Sequence, residues 1–403
     1  MESDSRSGSP RLLVLGAGAA QLGLLEAARD RGLWVAAVDR DPAAAGFRYA
    51  DRRCILSTED EPAIERLVGA LGVDGVIAPG TDWPVGVAAR VAEHAGLPHP
   101  ISPATAVLAT NKLRQRERLA EAGVPQPRSW VVGGEDKPPR LTGPVVVKAP
   151  DRQGQKGLTL VVDERALPGA IETARSVARN GLALVEELVD GPEVTVVGVS
   201  TGGSFTLLAV TDREVAEPPA FGVALAHVWP STVSDTFKVS DTVARAVRAL
   251  GIENGPSYTQ LRIGPAGPQV IEVAARLGGG HDAELVQAAT GVDLNGLAID
   301  AALGLDIAPP VPGERVGGAV TRFLVAPPGV LERVEVPDDL EGVERVRLYR
   351  EPGYVLVPLR RGADRAGAVL VTGVSREEAL ARADAAADRI RFFTADAGSL
   401  LHR

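Results

Sequence analysis

The chain of 403 residues contains a single cysteine, Cys54. One thiol excludes an intramolecular disulfide and offers no metal-binding spacing, which fits a reducing compartment, so a cytoplasmic location is expected. Long apolar runs are missing too. No stretch approaches the roughly 20 residues needed to cross a bilayer, and Met1 to Pro10 is polar, without the apolar segment of a secretion signal. That segment reads as a loose tail. Basic excess is also absent: a formal net charge of −9 argues against nucleic acid or an anionic membrane as partner, while local basic clusters still permit small anionic ligands. Lysine is scarce beside arginine, so a lysine at a strand tip or in a glycine loop stands out. The length exceeds one ordinary core and predicts two to three domains.

The first hundred residues alternate strands with helices. Arg11 to Gly16 is a short apolar run, then Leu22, Leu25 and Ala28 recur at helical spacing up to Gly32, and a second strand, Leu33 to Val38, ends at Asp39. This βαβ unit resembles a dinucleotide fingerprint, but Gln21 stands where the third glycine belongs, so a structural turn or a site for a small acidic substrate is favoured over nicotinamide binding. The strand Gly75 to Pro79 runs into Thr81 and Asp82. A parallel sheet places ligands beyond such a strand end, and a helix N-cap is the alternative role for these two residues.

Lys112 sits at a helix start, where the helix dipole is positive, and a nearby anion would reconcile the two. The apolar strand Pro144 to Lys148 carries a lysine at its tip and is followed by the glycine loop Gln153 to Gly157, which includes Lys156. Backbone N–H groups and charge in such a loop suit phosphates, although no P-loop helix follows. Leu182 to Val189 ends in Glu186 and Glu187, turns at Asp190 and Gly191 and reaches Glu193, the pattern of a hinge with free backbone groups able to read an adenine edge.

Tyr258 to Ile263 and Gln269 to Ala274 alternate polar and apolar residues about a short break, which predicts an antiparallel hairpin. A symmetric loop pairs Ile263 with Gln269 and so sets Gln260 opposite Glu272. Leu261, Ile263, Ile271 and Val273 then face the core, while Tyr258, Gln260, Arg262 and Glu272 face water or a ligand. An acid, an amide oxygen and Arg276 ahead of Gly278, Gly279 and Gly280 suit a cation and an anion held together; a solvated strand face is the plainer alternative.

In this order, Lys112, the strand to Lys148, the loop Gln153 to Gly157, the hinge Glu186 to Glu193 and the segment Glu272 to Gly280 resemble the ATP-grasp superfamily. The likeness is to carboxylate–amine ligases of the amino-acid-ligase and carbamoyl-phosphate-synthase-like groups, and it spans residues 11–390. It implies an α/β and α+β fold: a tail (1–10), a Rossmann-like N-terminal domain (11–110), a connecting helix (111–130), an ATP-grasp lid (131–188), an ATP-grasp core (189–310) and a C-terminal subdomain (311–403) to which no chemistry is assigned. By resemblance Lys112 and Lys148 hold the phosphates of ATP, and Gln153, Gly154, Lys156 and Gly157 form the lid loop. Glu186 with the backbone of Glu187 and Leu188 matches the adenine hinge, and Glu193 the ribose contact. Glu272, with Gln260 beside it, matches the Mg²⁺ site, and Arg276 the group that steadies the transferred phosphate, making Arg276 and Lys148 the catalytic pair.

Arg213, His227, Trp229, Gly278 and Gly279 are the expected substrate contacts with Arg276; for His227 an ordinary partly buried histidine is the favoured alternative. Two residues depart from the family pattern, Gln260 where a second carboxylate is common and Ala274 where asparagine is. The expected reaction activates a small carboxylic acid, an amino acid by resemblance, as an acyl phosphate and joins it to an amine, with a homodimer contact also implied. A purine- or bicarbonate-type carboxylase and a non-catalytic nucleotide-binding protein stand as alternatives.

Overall fold

The computed structural model describes residues 8–395 except 135, 137–139 and 234. Of the tail, residues 1–7 lie outside the described residues, while the Pro10 carbonyl already accepts from the Trp34 N–H at 3.0 Å. Strands Arg52–Ile55, Trp34–Asp39, Arg11–Leu15 and Gly75–Ile77 lie side by side in that order in a parallel sheet, the strand order of half a doubly wound nucleotide fold. Its helices carry the expected punctuation. Glu61–Leu71 begins after Asp60, whose carboxylate accepts from the Ala63 N–H, and stops at Gly72 in the left-handed region.

Gln21 settles what the first turn does. Its side chain folds back over Gly16 and donates to the Pro79 carbonyl at 2.6 Å, and the Asp39 carboxylate accepts from the Ala17 N–H at 2.9 Å. A pyrophosphate would find the space over Gly16 already filled by Gln21, which ties the first strand to the fourth, while Gly18 to Gln21 line the cavity described below.

A second sheet, fully antiparallel, carries the hairpin at one edge. Its order is Gly267–Ala274, Gly255–Gly264, Glu193–Thr201, Ser204–Val215, Ala224–Trp229, Gly318–Leu324, Gly367–Gly373, Val343–Leu348. Three of its strands come from the segment after residue 310, so the sheet runs across the boundary drawn there from sequence. One buried cluster likewise joins Leu12 and Val14 of the parallel sheet with Val197, Tyr258, Phe323 and Tyr349.

Residues 129–187 form a smaller antiparallel sheet, Ser129–Val132, Ala183–Glu187, Val145–Lys148, Thr159–Val161, covered by the helix Leu167–Val177. Its apolar side chains, Val145, Val147, Leu167, Ile171 and Val185 among them, make a cluster of their own. A unit with a separate core can move as a body, which is what a lid requires.

The hairpin pairs Gln260 with Glu272 as expected, by a different register. The turn is tighter than a symmetric five-residue loop, with Ile263 opposite Pro268 and Leu261 opposite Val270. A bulge between Gln260 and Leu261 restores the pairing by leaving Ile271 as the extra residue. Ile271 therefore lines the cavity described below and Val270 takes its place in the core beside Leu261 and Val273. Among the described residues no helix is long and apolar enough to cross a membrane.

Candidate active site

The lid sheet, the large sheet, the first-domain loops and the segment after Leu348 enclose one cavity of about 580 Å³, within the range of small-molecule sites. Its wall includes Lys112, Lys148, Gln153, Gly154, Lys156, Glu186, Glu187, Leu188, Glu193, Arg213, His227, Gln260, Glu272, Arg276 and Gly279. Residues from widely separated parts of the chain thus converge on one space.

Four of the cations there, Lys112, Lys148, Arg213 and Arg276, are paired with carboxylates. Asn111 caps the helix Lys112–Glu121, accepting from Leu113 and Arg114 N–H groups; this points Lys112 at Glu272, with Nζ 2.9 Å from its carboxylate and 2.9 Å from the Arg152 carbonyl. Burial opposes the Lys112 ammonium, but Glu272 and Asp82 outweigh it and hold the lysine above its ordinary pKa. Burial would likewise raise Glu272, yet Lys112, Lys148 and Arg276 bring it down to about 2. Glu272 is an anion at any working pH.

Lys148 pairs with Glu186. Arg116 shares that carboxylate, Nε to Oε1 at 2.6 Å, and donates as well to the carbonyls of Val270 and Ile271 at 2.9 and 2.6 Å. Burial, reinforced by the nearby charges of Arg116 and Lys112, pushes Lys148 below the ordinary lysine value in spite of Glu186. The hinge differs from expectation in two respects. The Glu186 carboxylate is occupied by two cations, and the N–H groups of Glu187 and Leu188 already donate to the carbonyls of Arg128 and Pro144 at 2.9 and 3.0 Å. Val189, the next residue, also lines the cavity.

Glu193 accepts from Arg213 at 2.7 Å, so the expected ribose and substrate contacts form a pair of their own. Arg276 donates through Nε to Asp82 at 2.6 Å and through Nη1 to the Leu277 carbonyl at 2.8 Å. Asp82 opens the helix Asp82–Ala95, and the Thr81 side chain makes no capping bond. Asp82 is thus a partner for Arg276, Thr81 holds the N-cap position without a side-chain bond, and both residues line the cavity. His227 is buried, with Nδ1 2.7 Å from the Asp282 carboxylate and its ring edge-on to Phe323.

Three expected contacts do not reach the cavity wall. Gly278 lies behind it: a Cβ there would stand 2.0 Å from Asp282 Oδ2 and 2.7 Å from Tyr258 Cδ2, so the glycine serves close packing. Gly157, at φ +70°, leaves no room for a Cβ beside Val177. Trp229 packs against the apolar core.

The lid loop touches both neighbours. The Gln153 side chain accepts from the Asp82 N–H, and Gln155, held at φ +62°, accepts from the Gly362 N–H at 3.3 Å. Arg179 of the lid meets Glu59 at 2.7 Å and lies 3.7 Å over the Trp83 ring.

Sequence reasoning missed Arg116, Asp82 as a partner for Arg276, and the cavity residues Tyr349, Arg350 and Arg365 of the last segment. Arg116 had a signal: it stands four residues after Lys112, on the same helix face. Arg365 had none.

With the geometry in place, comparison with known proteins decides the family. Residues 143–284 match the ATP-grasp domain, and residues 322–395 match the L-amino acid ligase C-terminal domain 2. The chain is 30% identical over 379 residues to the uncharacterized protein y4rH of Sinorhizobium fredii, covering 88% of this chain and 77% of that one. The chain belongs to the ATP-grasp superfamily. Within this superfamily it is an enzyme of the carboxylate–amine ligase group. An ATP-grasp relative, D-alanine–D-alanine ligase of Synechococcus, is 28% identical over 225 residues, 51% of this chain and 63% of that one. The L-amino acid ligase of Bacillus licheniformis shares the fold at a TM-score of 0.81 and 23% identity, covering 97% of this chain and all of that chain.

Proposed function

We propose that this ATP-grasp ligase uses ATP and Mg²⁺ to activate a small carboxylic acid, an amino acid, as an acyl phosphate and joins it to an amine. The observation that carries this reading is the convergence of Lys112, Lys148, the lid loop, Glu272 and Arg276 on one cavity. A carboxylate does not react with an amine near neutral pH. Attack of its oxygen on the γ-phosphorus breaks the bond to the β-phosphate oxygen and releases ADP; the amine nitrogen then attacks the carbonyl carbon, phosphate leaves and the nitrogen gives up a proton.

The protein's task is alignment and charge neutralisation. Lys112 and Lys148 are held in place by Glu272 and Glu186, ready to exchange those partners for phosphate oxygens. Val189 is the hinge residue whose backbone would meet the adenine. Arg276, oriented by Asp82, faces the acid and its acyl phosphate. The lid excludes the water that would hydrolyse that intermediate.

The donor set suits magnesium with few protein ligands. Among the described residues no group of three His, Cys, Asp or Glu side chains could form an all-protein metal cage. Glu272 would supply one carboxylate. The Gln260 amide nitrogen is engaged by the Tyr258 hydroxyl at 3.1 Å, leaving its oxygen for the ion. Magnesium commonly takes one or two carboxylates and completes its shell with phosphate and water oxygens, and it supplies charge neutralisation of the triphosphate when bound.

The test is ADP release from ATP over panels of amino acids and amines. Formation that requires both a carboxylate and an amine, and collapses in Lys148→Ala, is expected. Bicarbonate-dependent release without any amine would instead mark a carboxylase, and ATP binding without turnover in any pair would mark a nucleotide-binding protein.

A further inference from the structure

The segment after Leu348 brings to the cavity wall a side chain that no step above has used, Tyr349. Its N–H donates to the Ala366 carbonyl at 3.0 Å, and its hydroxyl stands 2.6 Å from His281 Nε2. His281 Nδ1 in turn lies 3.1 Å from the Glu284 carboxylate. Three side chains thus run inward from the wall, with His281 and Glu284 behind Tyr349.

The charge of Glu284 fixes the direction of both bonds. Burial would raise its carboxyl, but His281 and Arg347, whose Nη2 is 3.6 Å away, outweigh burial and hold it below the usual carboxylate range. An ionised carboxylate only accepts, so Nδ1 carries the imidazole proton and Nε2 is the acceptor. The Tyr349 hydroxyl therefore donates to Nε2, which leaves its own oxygen able to accept. Burial also pushes that hydroxyl above its ordinary pKa, so Tyr349 is no standing phenolate; it takes a proton only while giving one to His281.

His281 holds its place against a backbone that favours glycine. It sits at φ +60°, one of two non-glycine residues in the left-handed region among the described residues, directly after Gly278, Gly279 and Gly280. A glycine would adopt that backbone without strain, and the imidazole does not cap the helix Asp282–Thr290 that it precedes. What the histidine adds there is its two ring bonds.

Contacts place the trio at the Arg276 end of the cavity. His281 closes the run that begins at Arg276, and Gly279 and Gly280 within that run line the wall. A Cβ on Gly279 would lie 3.1 Å from the carbonyl of Gly80, whose near neighbour Asp82 holds Arg276 at 2.6 Å.

We propose that Tyr349 is a catalytic residue, the proton acceptor for the amine, with His281 and Glu284 as positioning residues behind it. The proposal rests on the ligase reading above and deepens it. A primary aliphatic amine arrives as an ammonium, with no lone pair to attack. One N–H proton passes to Tyr349 Oη as the hydroxyl proton passes to His281 Nε2, and Glu284 neutralises the imidazolium. The freed nitrogen attacks the acyl carbon, the bond from that carbon to the phosphate oxygen breaks, and the departing phosphate takes the second N–H proton. His281 returns its proton to water when the lid opens.

The test uses the full chain with ATP, Mg²⁺ and the acid that turns over best, and compares two nucleophiles. One is the primary aliphatic amine that turns over best. The other is hydroxylamine, which is largely unprotonated near neutral pH and captures acyl phosphates as hydroxamates without a base. Tyr349→Phe should lower amide formation roughly 10²–10⁴-fold and hydroxamate formation far less, so that the ratio of the two rates falls at least about tenfold. His281→Asn, which tolerates the same backbone, should shift the ratio in the same direction, and it carries the comparison if thermal melts show Tyr349→Phe unfolded. Equal losses with both nucleophiles, or wild-type rates with both, would overturn the proposal and leave the ligase reading intact. Product with neither nucleophile for any acid would remove the ligase reading and the relay with it.

Discussion

Replacing Arg116 by methionine keeps the length of the side chain and removes its charge. Arg116 is one of two cations on the buried Glu186 carboxylate, and it also bonds the carbonyls of Val270 and Ile271 beside the hairpin bulge and, at 3.1 Å, the Gln126 side chain. Removing one of two cations from a buried carboxylate, and the donor from two buried carbonyls, costs at most about the 3–5 kcal/mol of a buried charge left unpaired, because Lys148 stays on Glu186. For a cooperative unit of 150–250 residues each kcal/mol moves Tm by roughly 2–4 °C, so the variant should melt up to about 10 °C below the wild type. Arg116→Lys keeps the charge but cannot make the forked set of bonds and should lose less than half as much. Lys148 would then be the sole cation on Glu186 and less ready to leave it, so the KM for ATP should rise in Arg116→Met. Thermal melts followed by circular dichroism, with ADP release measured on the same preparations, check both effects. A variant melting within about 2 °C of the wild type, with an unchanged KM for ATP, would refute the reasoning.

Two further outcomes follow from the paired charges. Glu272 is held at about 2 against an ordinary 4.5, so it contributes stability that is fully present above the ordinary value and lost as the pH falls through 2, about 3 kcal/mol in all. Urea titrations between pH 6 and 2 should therefore show Glu272→Gln losing less stability on acidification than the wild type, and parallel losses would contradict this. Asp82→Asn removes the charge that orients Arg276. It should lower kcat roughly 10–100-fold while the KM for ATP stays nearly constant, and steady-state kinetics showing the reverse pattern would assign Asp82 to nucleotide binding.

The parts legible in the sequence were those whose signal is local. Three valines ending in Lys148, a glycine loop and an alternating hairpin each declare themselves within a few residues, and their order along the chain carried the superfamily. The bulge was not legible, because pairing Gln260 with Glu272 is reached equally by a symmetric loop or by a tight turn plus one extra residue, and only packing selects the second by burying Val270 and turning Ile271 to the cavity. Arg116 lies between Arg114 and Arg118, and what distinguishes it is contact with strands 70 and more than 150 residues away. Gly278 and Gly279 look alike in sequence; Asp282 and Tyr258 crowd the first, and the second opens on the cavity. Arg365 sits among arginines in a turn, and its place in the cavity wall is visible only once the whole wall is assembled.

The central claim is that a carboxylate oxygen attacks the γ-phosphorus in the space between Lys148, Glu272 and Arg276. Its most direct measurement uses L-amino acids labelled with ¹⁸O in the carboxyl group, ATP, Mg²⁺ and an amine, with the released phosphate analysed by mass spectrometry. An acyl phosphate transfers one labelled oxygen from the acid to each phosphate released during amide formation. Phosphate that carries no label while amide accumulates would contradict the account.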